Sequence, residues 1–258
     1  MSNKKYALVT GASSGIGYEY AWVMADRGYN LIIVSNEQAI NDKGECLRKM
    51  FPSVDIIPLV RDLSDQNSAK ELHQYCVDNG LEVEVLINNA GVYHDKDFLD
   101  DTEGFTRLIL NLHVVTPALL EYHFGKDMVS RGKGYILNMS SVTSNYGFQR
   151  MSTYSTTKGF IRAFSRATYI ELKSKGVVVT CVRPGAVATP LYNLSESAMK
   201  TGLAIGAIIT PRKLAEKGVR AMFRGKHEIT PGFFTKFLNM VSILPTWLLV
   251  LVRKLGWF

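Results

Sequence analysis

Tyr154 and Lys158, at the end of the segment Ser141–Lys158, are the residues in this sequence best suited to proton transfer. They lie four positions apart, so in a helix both side chains would share one face, one turn from each other. A tyrosine hydroxyl normally titrates at about 10 and is a poor acid–base group at neutral pH. A neighbouring lysine ammonium favours the phenolate and lowers that pKa toward a useful range. Alone, the spacing also fits a packed tyrosine and a solvated lysine, because short motifs occur by chance.

A glycine-rich turn at Gly11, Gly15 and Gly17 separates the apolar run Lys5–Thr10 from the amphipathic stretch Tyr18–Arg27. Between a strand and a helix, glycines let the backbone approach a pyrophosphate, which then rests on the helix N-terminus. The spacing is G-x-x-x-G-x-G and not the general G-x-G-x-x-G, so a plain tight turn would also explain it. The position after the first strand and before the first helix favours a dinucleotide phosphate site.

Apolar runs of strand length alternate with segments of helical length along the chain. The predicted strands are Lys5–Thr10, Leu31–Val34, Ile56–Val60, Val83–Ile87, Tyr135–Met139 and Val177–Val182. After the first helix, the helical segments cover residues 37–50, 65–79, about 101–131 and 152–175. This alternation predicts an α/β fold, a single doubly wound Rossmann-type domain over residues 1–258 with a parallel sheet and helices on both faces. Pro58 cannot donate to a neighbouring strand, which favours a strand end or the sheet edge for its run.

The composition is that of a globular protein with a substantial core, since 47% of the 258 residues are hydrophobic and 21% are charged. Cys46, Cys76 and Cys181 are odd in number and far apart, which predicts neither a disulfide framework nor a metal site. The apolar run at the N-terminus is too short for a signal peptide. A reducing, cytoplasmic location is therefore expected.

Charge is distributed unevenly within a net charge of +7. Residues 51–100 carry three basic and ten acidic side chains, a net of −7, whereas residues 151–258 carry sixteen basic and four acidic ones, a net of +12. The asymmetry predicts either an anionic partner for the C-terminal part (a phosphorylated cofactor, an acyl carrier or a lipid surface) or solvated basic helix faces. No arginine-rich run or nucleic-acid-binding motif occurs, so nucleic acid is not an expected partner.

Several motifs, in one order, support a chemical role for the tyrosine and lysine. They are Thr10–Gly17 (TGASSGIG), Asn88–Gly91 (NNAG), Asn111, Ser141, Tyr154-x-x-x-Lys158 and Pro184-Gly185. In this order and at these separations, including thirteen positions from Ser141 to Tyr154, the sequence resembles the single-domain branch of the short-chain dehydrogenase/reductase family. The resemblance covers about residues 5–190.

The resemblance implies a site for a nicotinamide dinucleotide. The implied cofactor contacts are Gly11, Ser13, Ser14, Gly15, Ile16, Gly17, Asn36, Asp62, Leu63, Asn89, Ala90, Gly91, Tyr154, Lys158, Pro184, Gly185, Val187 and Thr189. The glycine turn would hold the phosphates and the adenosine ribose, and Asp62 would contact the adenine. Asn88, with the Ala90–Gly91 pair, would close the sheet behind the cofactor, and the loop from Pro184 to Thr189 would contact the nicotinamide amide.

The resemblance also implies four catalytic residues. Tyr154 would be the acid–base group, and Ser141 would hydrogen-bond the substrate carbonyl; the thirteen-residue spacing selects it over Ser140. Lys158 would bind the nicotinamide ribose and lower the pKa of the tyrosine, while Asn111 would hold a water molecule in the proton path. Hydride transfer to a ketone leaves an alkoxide that needs a proton, which a tyrosine in this position can give.

The residues after the second predicted strand bear on the choice between NAD and NADP. An acidic side chain at the strand end binds the ribose 2′-hydroxyl of NAD and repels the 2′-phosphate of NADP. In the family this acid would fall at Ser35, and Asn36 stands where NADP users often carry arginine. Glu37 lies one or two positions too late. We therefore expect NADP(H), with NAD(H) as the alternative.

Two C-terminal segments bear on the substrate. Residues 186–210 contain many small and apolar side chains, which predicts a lid over an apolar pocket or an ordinary surface helix. Residues 232–258 form an apolar tail in which Phe237–Val252 carries no charge. This run is too short for a spanning helix and is interrupted by Pro245. Its basic and aromatic flanks fit a peripheral membrane contact through 237–258, a subunit interface or a wall of the pocket.

Together these observations predict an NAD(P)-dependent oxidoreductase, most simply one that uses NADPH to reduce a ketone on an apolar acyl, lipid or steroid-like substrate. The tail adds a loose resemblance to long-chain 3-oxoacyl and keto-sphingoid reductases. The alternatives are a non-catalytic redox sensor that binds NAD(P), or a scaffold. By resemblance, a homodimer or homotetramer is expected, formed through the helices around 101–131 and 152–175.

Overall fold

A parallel sheet forms the centre of the computed structural model, which describes residues 4–145, 147–189 and 196–232 together with Thr235 and Val250. The strands are β1 (Lys5–Thr10), β2 (Asn30–Ser35), β3 (Ile56–Val60), β4 (Glu82–Asn88), β5 (Gly134–Met139), β6 (Val177–Val182), β7 (Ala186–Val187), β8 (Ile208–Ile209) and β9 (Glu228–Ile229). Seven of them form the main sheet in the order β3–β2–β1–β4–β5–β6–β9. The short strands β7 and β8 pair with each other in a separate parallel ladder.

Helices cover both faces of this sheet. They are α1 (Gly15–Asp26), α2 (Ala39–Met50), α3 (Ser68–Asp78), α4 (Glu103–Leu110), α5 (Thr116–Ser130), α6 (Ser152–Lys173), α7 (Glu196–Ala204) and α8 (Pro211–Phe223). Helices α1, α2 and α8 pack on one face, and α3, α5 and α6 pack on the other. Strands buried on both faces have near-continuous apolar sequences, as observed here. The predicted doubly wound α/β fold is confirmed.

The side chains of β1 show how one strand contributes to both halves of the core. Ala7 and Val9 pack in the cluster that contains Tyr20 of α1, whereas Tyr6 and Leu8 pack in the cluster on the opposite face. Successive strand residues point to opposite faces, so alternate positions join different clusters. A fully apolar strand is therefore what a central position in this sheet requires.

The order of the strands creates the place for a ligand. The chain runs outward from β1 through β2 to β3 and then returns to place β4 on the other side of β1. At such a switch point the two loops leave in opposite directions, and a crevice opens at the carboxyl ends of the strands. Pro58 lies on β3, at the edge of the sheet, as its missing N–H predicted.

The predicted helical segment 101–131 is not one continuous helix. After α4 a π-helical segment, Asn111–Val115, precedes α5, and the Thr116 amide donates to the carbonyl of Asn111 five residues earlier. Pro117 explains the change, because it has no N–H and its ring clashes with the carbonyl four residues before it. The hydrogen-bond ladder widens there by one residue.

The region after β6 was not fully predicted. Helix α8 begins with two ordinary start signals, a Thr210 cap whose hydroxyl accepts from the Lys213 amide at 3.3 Å, and Pro211 in the first turn. Strands β7, β8 and β9 have two residues each, too few for a detectable pattern. Apart from Gly232, Thr235 and Val250, the predicted tail lies outside the described residues. In the part of the chain that is described, no helix combines the length and apolar character needed to cross a bilayer.

Candidate active site

A cleft of about 510 Å³ lies at the carboxyl ends of β1, β2, β4 and β5. Most of the predicted site residues line it: Gly11, Ser13, Ser14, Gly15, Ile16, Asn36, Asp62, Leu63, Asn89, Ala90, Gly91, Tyr154, Lys158, Pro184, Val187 and Thr189. These residues come from six separate stretches of the chain, which the parallel sheet brings to one edge. The cleft therefore has the location expected for a ligand in an open α/β sheet.

The glycine turn after β1 is shaped for close approach of a ligand. Gly11 has φ +66°, a left-handed conformation that glycine adopts without steric cost. A Cβ atom on Gly17 would lie 2.0 Å from the carbonyl oxygen of Gly11, so only glycine fits where α1 passes the turn. The side-chain amide of Asn89 donates to the carbonyls of Thr10 and Gly11 at 3.0 and 3.2 Å. Asn89 thus fixes the turn against the end of β4.

The same region offers polar groups to a bound dinucleotide. Helix α1 starts at Gly15, and its cap residue Ser14 has an extended backbone and makes no side-chain capping bond. The positive end of the helix dipole therefore faces the cleft, where it favours a phosphate. Next to this helix start, the buried hydroxyl oxygen of Thr189 has no hydrogen-bond partner among the described residues, and its Cγ2 atom lies 3.5 Å from where a Cβ atom on Gly15 would be. A helix N-terminus with an unpaired hydroxyl beside it fits the phosphate-bearing part of a nicotinamide dinucleotide.

Tyr154 and Lys158 lie on the first two turns of α6, as their spacing predicted, and both side chains are buried. The Lys158 ammonium donates to the carbonyl of Met139, the last residue of β5, at 3.0 Å and lies 5.6 Å from the centre of the Tyr154 ring. Burial lowers the pKa of Lys158 to about 8. At neutral pH the side chain is still mostly an ammonium, which can stabilise a nearby phenolate.

Ser141 and Asn111 are held by local contacts. The Ser141 hydroxyl oxygen accepts from the amide and the hydroxyl of Thr143, at 3.2 and 2.9 Å. Both contacts use it as an acceptor, so its own proton can be donated to a carbonyl. Asn111, at the start of the π-helical segment, donates its side-chain amide to the carbonyl of Ser64 at 3.0 Å. This bond ties the segment to the loop after β3.

A family model of the short chain dehydrogenases matches residues 5–200. The chain belongs to this family. It is 34% identical over 206 residues to very-long-chain 3-oxoacyl-CoA reductase-B of Danio rerio, in an alignment that covers 74% of this chain and 62% of the relative. The chain therefore spans about three fifths of the length of that relative. The predicted family and enzyme class are confirmed.

Solved structures give the same result for the fold of this short chain dehydrogenase. The bulky-bulky ketone specific alcohol dehydrogenase from Comamonas testosteroni is similar with a TM-score of 0.79 and 26% identity, over 93% of this chain and 92% of that one. A short-chain dehydrogenase from Sphingobium yanoikuyae, solved in complex with NADPH, has a TM-score of 0.79 at 23% identity, over 93% and 96% of the two chains. The second likeness concerns the fold alone.

Four predicted residues of this short chain dehydrogenase do not line the cleft itself: Gly17, Asn111, Ser141 and Gly185. Gly17 lies behind the glycine turn, and Gly185 is packed so closely that a Cβ atom would come within 2.5 Å of the Thr235 hydroxyl. Ser140, rejected on spacing, donates its hydroxyl to the carbonyl of Lys158 at 2.7 Å. It therefore acts on the backbone of α6, and the role of Ser141 stays a prediction.

Sequence reasoning did not assign Arg61 to the dehydrogenase site. Its amide donates to the carbonyl of Ser35 at 2.8 Å, which places it beside the end of β2, and it lines the cleft. Its guanidinium forms an ion pair with Glu71 at 2.7 Å. The hydroxyl of Ser35 donates to that of Ser13 at 3.0 Å. The pairing of β2 with β3 brings Arg61 beside Ser35, although the two residues are far apart in sequence.

His113 belongs to none of the sequence motifs, and the structure gives it a definite place. It lies in the π-helical segment, is 2% exposed, and lines the cleft beside Tyr154 and Lys158. Burial, together with the charge of Lys158, lowers the pKa of the imidazole well below its usual range. His113 is thus a neutral ring at neutral pH. Its partners lie 21 and 44 residues away in sequence, beyond the reach of any local motif.

Proposed function

We propose that this chain is an NADP(H)-dependent reductase of ketones on apolar substrates, with Tyr154 as the proton donor. The observation that carries the proposal is the buried Lys158 ammonium, positioned one helical turn from a cleft-lining tyrosine. Burying an ammonium costs free energy, and such a perturbed group in a cleft is typical of a reactive site. The catalytic set is Asn111, Ser141, Tyr154 and Lys158.

The residues would divide the reaction as follows. When bound, the nicotinamide cofactor supplies a hydride to the carbonyl carbon. The hydroxyl of Tyr154 donates its proton to the oxygen that becomes negative, and the substrate leaves as an alcohol. Lys158 stabilises the resulting phenolate by its charge and also binds the cofactor ribose. Ser141 donates a hydrogen bond to the substrate carbonyl and so favours charge on its oxygen.

Two features support NADP(H) as the cofactor. Ser35 carries no charge at the end of β2, and the Arg61 guanidinium is available from the neighbouring loop to bind a 2′-phosphate. Arginine recognises phosphate through paired N–H donors, and its present partner Glu71 is exposed enough to be displaced. The competing choice is NAD(H), for which Glu37, also at the cleft, would bind the ribose 2′-hydroxyl.

The apolar substrate is supported by the segment 186–210 and by the relatives. This segment, which we propose as the lid, contains β7, α7 and β8, and it carries Leu203 and Ile205 exposed at 36% and 70%. Exposed apolar side chains beside a cleft can be covered by an apolar ligand. Danio rerio very-long-chain 3-oxoacyl-CoA reductase-B suggests the first substrates to test, the 3-oxoacyl thioesters.

The direct test follows cofactor absorbance with NADPH and a series of 3-oxoacyl-CoA substrates of increasing chain length, beside a steroid ketone and a small polar ketone. We expect turnover that rises with acyl chain length, and slower turnover with NADH. Tight binding of NADPH without turnover of any ketone would contradict the proposal and support a redox sensor.

Two further proposals concern partners. By family resemblance we propose a homodimer or homotetramer, which sedimentation equilibrium would measure.

We also propose that residues 237–258 contact a membrane surface from the cytoplasmic side. Liposome flotation of the full chain and of a chain lacking 237–258 tests this, since unchanged partitioning of the truncated protein would rule it out.

A further inference from the structure

The imidazole of His113 is hydrogen-bonded on both sides, once to the loop after β4 and once to α6. Its Nε2 atom lies 3.0 Å from the amide nitrogen of Val92, in the loop that follows the Ala90–Gly91 wall of the cleft. Its Nδ1 atom lies 3.1 Å from the hydroxyl oxygen of Thr157, on α6. The ring therefore joins the wall behind the cofactor to the helix that carries the catalytic tyrosine.

The direction of each hydrogen bond follows from the donors available. The Val92 amide can only donate, so Nε2 of His113 must accept and carries no proton. The Thr157 hydroxyl donates its single proton to the backbone carbonyl of Tyr154 at 2.8 Å, so it accepts from His113. Nδ1 must then be protonated. The two sides independently require the same neutral tautomer.

Packing around the ring supports a positional role. The His113 and Tyr154 rings meet edge to face, with centres 5.8 Å apart. A Cβ atom on Gly91 would lie 2.8 Å from Nε2, so a glycine is needed at that place to admit the imidazole. Thr157 is also buried. The chain Val92–His113–Thr157–Tyr154 is thus enclosed and has one arrangement of protons.

We propose that His113 is a positioning residue that acts through Thr157 to hold Tyr154 against the cofactor wall. The inference rests on the proposed function, since it concerns the group that gives the proton in that reaction. A misplacement of about 1 Å can cost up to about 100-fold in rate, so loss of this link is expected to slow proton transfer. The neutral ring also places no second positive charge beside Lys158.

Two substitutions break the bond between His113 and Thr157, one from each end. His113→Gln keeps an acceptor for the Val92 amide and loses the donor to Thr157, and Thr157→Val removes the hydroxyl while keeping the shape. Each is expected to lower kcat about 10-fold, with the Kd for NADPH within about twofold of the unchanged protein. Because both break one chain, the double variant should be no slower than the worse single variant. His227→Gln, at an exposed position away from the cleft, is the matched control and should change neither value.

A second readout separates positioning from loss of folding. Slower proton transfer should raise the solvent deuterium isotope effect on kcat in both variants, whereas a smaller folded fraction would leave it unchanged. Single variants whose kcat stays within about twofold, or whose effects multiply in the double variant, would overturn the inference.

The tautomer can be tested without turnover. Nitrogen-15 NMR of the histidine side chains should show His113 protonated at Nδ1 and unprotonated at Nε2, with its Nδ1 signal shifted by Thr157→Val. A proton on Nε2 would overturn the inference even in an active enzyme. If the protein reduces no ketone, the proposed function fails, and the NMR result still decides whether the link exists.

Discussion

Glu84 and Lys158 are buried charged side chains at opposite ends of the central sheet, and their surroundings differ. Glu84, in the first half of β4, forms ion pairs with Lys5 at 2.5 Å and Lys133 at 3.3 Å, and it accepts from the Tyr29 hydroxyl at 2.8 Å. Burial alone would raise the pKa of Glu84, but these hydrogen bonds and charges lower it. Lys158 has a backbone carbonyl as its partner and, among the described residues, no acidic partner in an ion pair.

The presence or absence of opposite charges distinguishes the stabilising cluster around Glu84 from the reactive site around Lys158. At the amino ends of the strands, the buried charge of Glu84 is compensated by opposite charges and hydrogen bonds. At the carboxyl ends, an ammonium is desolvated and left without a counter-charge, which costs folding free energy. Such a cost is commonly retained where function needs it. Substitutions around Lys158, at the carboxyl ends of the strands, should therefore lower activity. Substitutions around Glu84, at the amino ends of the strands, should lower stability.

The largest expected effect is that of Tyr154→Phe. Removing the hydroxyl removes the proton donor, so kcat for ketone reduction should fall by about 100-fold or more, while the Kd for NADPH stays near its original value. Cofactor absorbance and NADPH fluorescence measure the two quantities. Tyr122→Phe, on the exposed side of α5, is the matched control. A Tyr154→Phe enzyme with more than about half of the original kcat would contradict the assignment.

Lys158→Met should move activity and stability in opposite directions. The folded pKa of Lys158 is about 8, below the ordinary 10.5, so the charged side chain destabilises the folded state at neutral pH. The variant should therefore lose most activity yet gain of the order of 2 kcal/mol in the free energy of unfolding at pH 7. The gain should shrink as the pH rises from about 8 toward the unfolded value.

The contrasting substitution is Lys133→Met, beside Glu84 at the amino ends of the strands. It removes one counter-charge from Glu84, and because Lys133 is half exposed, the expected loss of stability is about 1 kcal/mol or less. Activity should not change. Urea unfolding at pH 7 measures both lysine variants, and the comparison of the two ends fails if Lys158→Met is the less stable one.

Glu121 lies inside the core and tests whether a buried charge without an opposite charge destabilises the folded state there as well. Burial raises the pKa of this carboxyl to about 7, although the Asn138 amide donates to one oxygen at 2.9 Å. The other oxygen has no partner among the described residues. The folded state therefore holds the proton between about 4.5 and 7, and stability falls as the pH rises through that window.

Glu121→Gln should remove this pH dependence. At pH 8 the variant should be more stable by about 3 kcal/mol, and at pH 4.5 nearly equal to the original protein. Thermal unfolding at several pH values measures the effect, with Glu216→Gln on the exposed side of α8 as the control. Equal pH profiles for the two proteins would mean that Glu121 is not a buried titrating group.

The last expected effect concerns cofactor binding at the adenosine end of the cleft. Arg61→Ala should weaken NADPH binding about 10-fold and leave NADH binding within about twofold, because only NADPH carries the 2′-phosphate. Glu71→Gln frees the guanidinium and should strengthen NADPH binding. Isothermal titration with both cofactors measures these values. An equal change for both cofactors would remove Arg61 from the choice between them.

Much of the fold and part of the candidate site could be predicted from the sequence. The strands β1, β3 and β6 were predicted to the residue, because these runs are bounded by glycine or charged residues. The helical spacing of Tyr154 and Lys158 and the glycines of the first turn are local features, and of these residues Gly11, Gly15, Tyr154 and Lys158 line the cleft. Helix α8 was missed although Thr210 and Pro211 mark its start.

What could not be predicted depends on contacts between distant segments. His113 bonds to a backbone amide and to a threonine on another helix, and neither partner has a motif that points to it. Arg61 reaches the cleft only because β3 pairs beside β2. The lowered pKa of Lys158 depends on how many atoms surround its ammonium, which is a property of the packed core and not of the motif.

Transfer of deuterium from NADPH labelled at the reactive carbon of the nicotinamide tests the central claim most directly. A long-chain 3-oxoacyl-CoA is incubated with the enzyme and the labelled cofactor, and mass spectrometry locates the label in the product. The account predicts one deuterium on the carbon that was the ketone, and almost none with Tyr154→Phe. Tight NADPH binding with an unlabelled, unreduced ketone would contradict it.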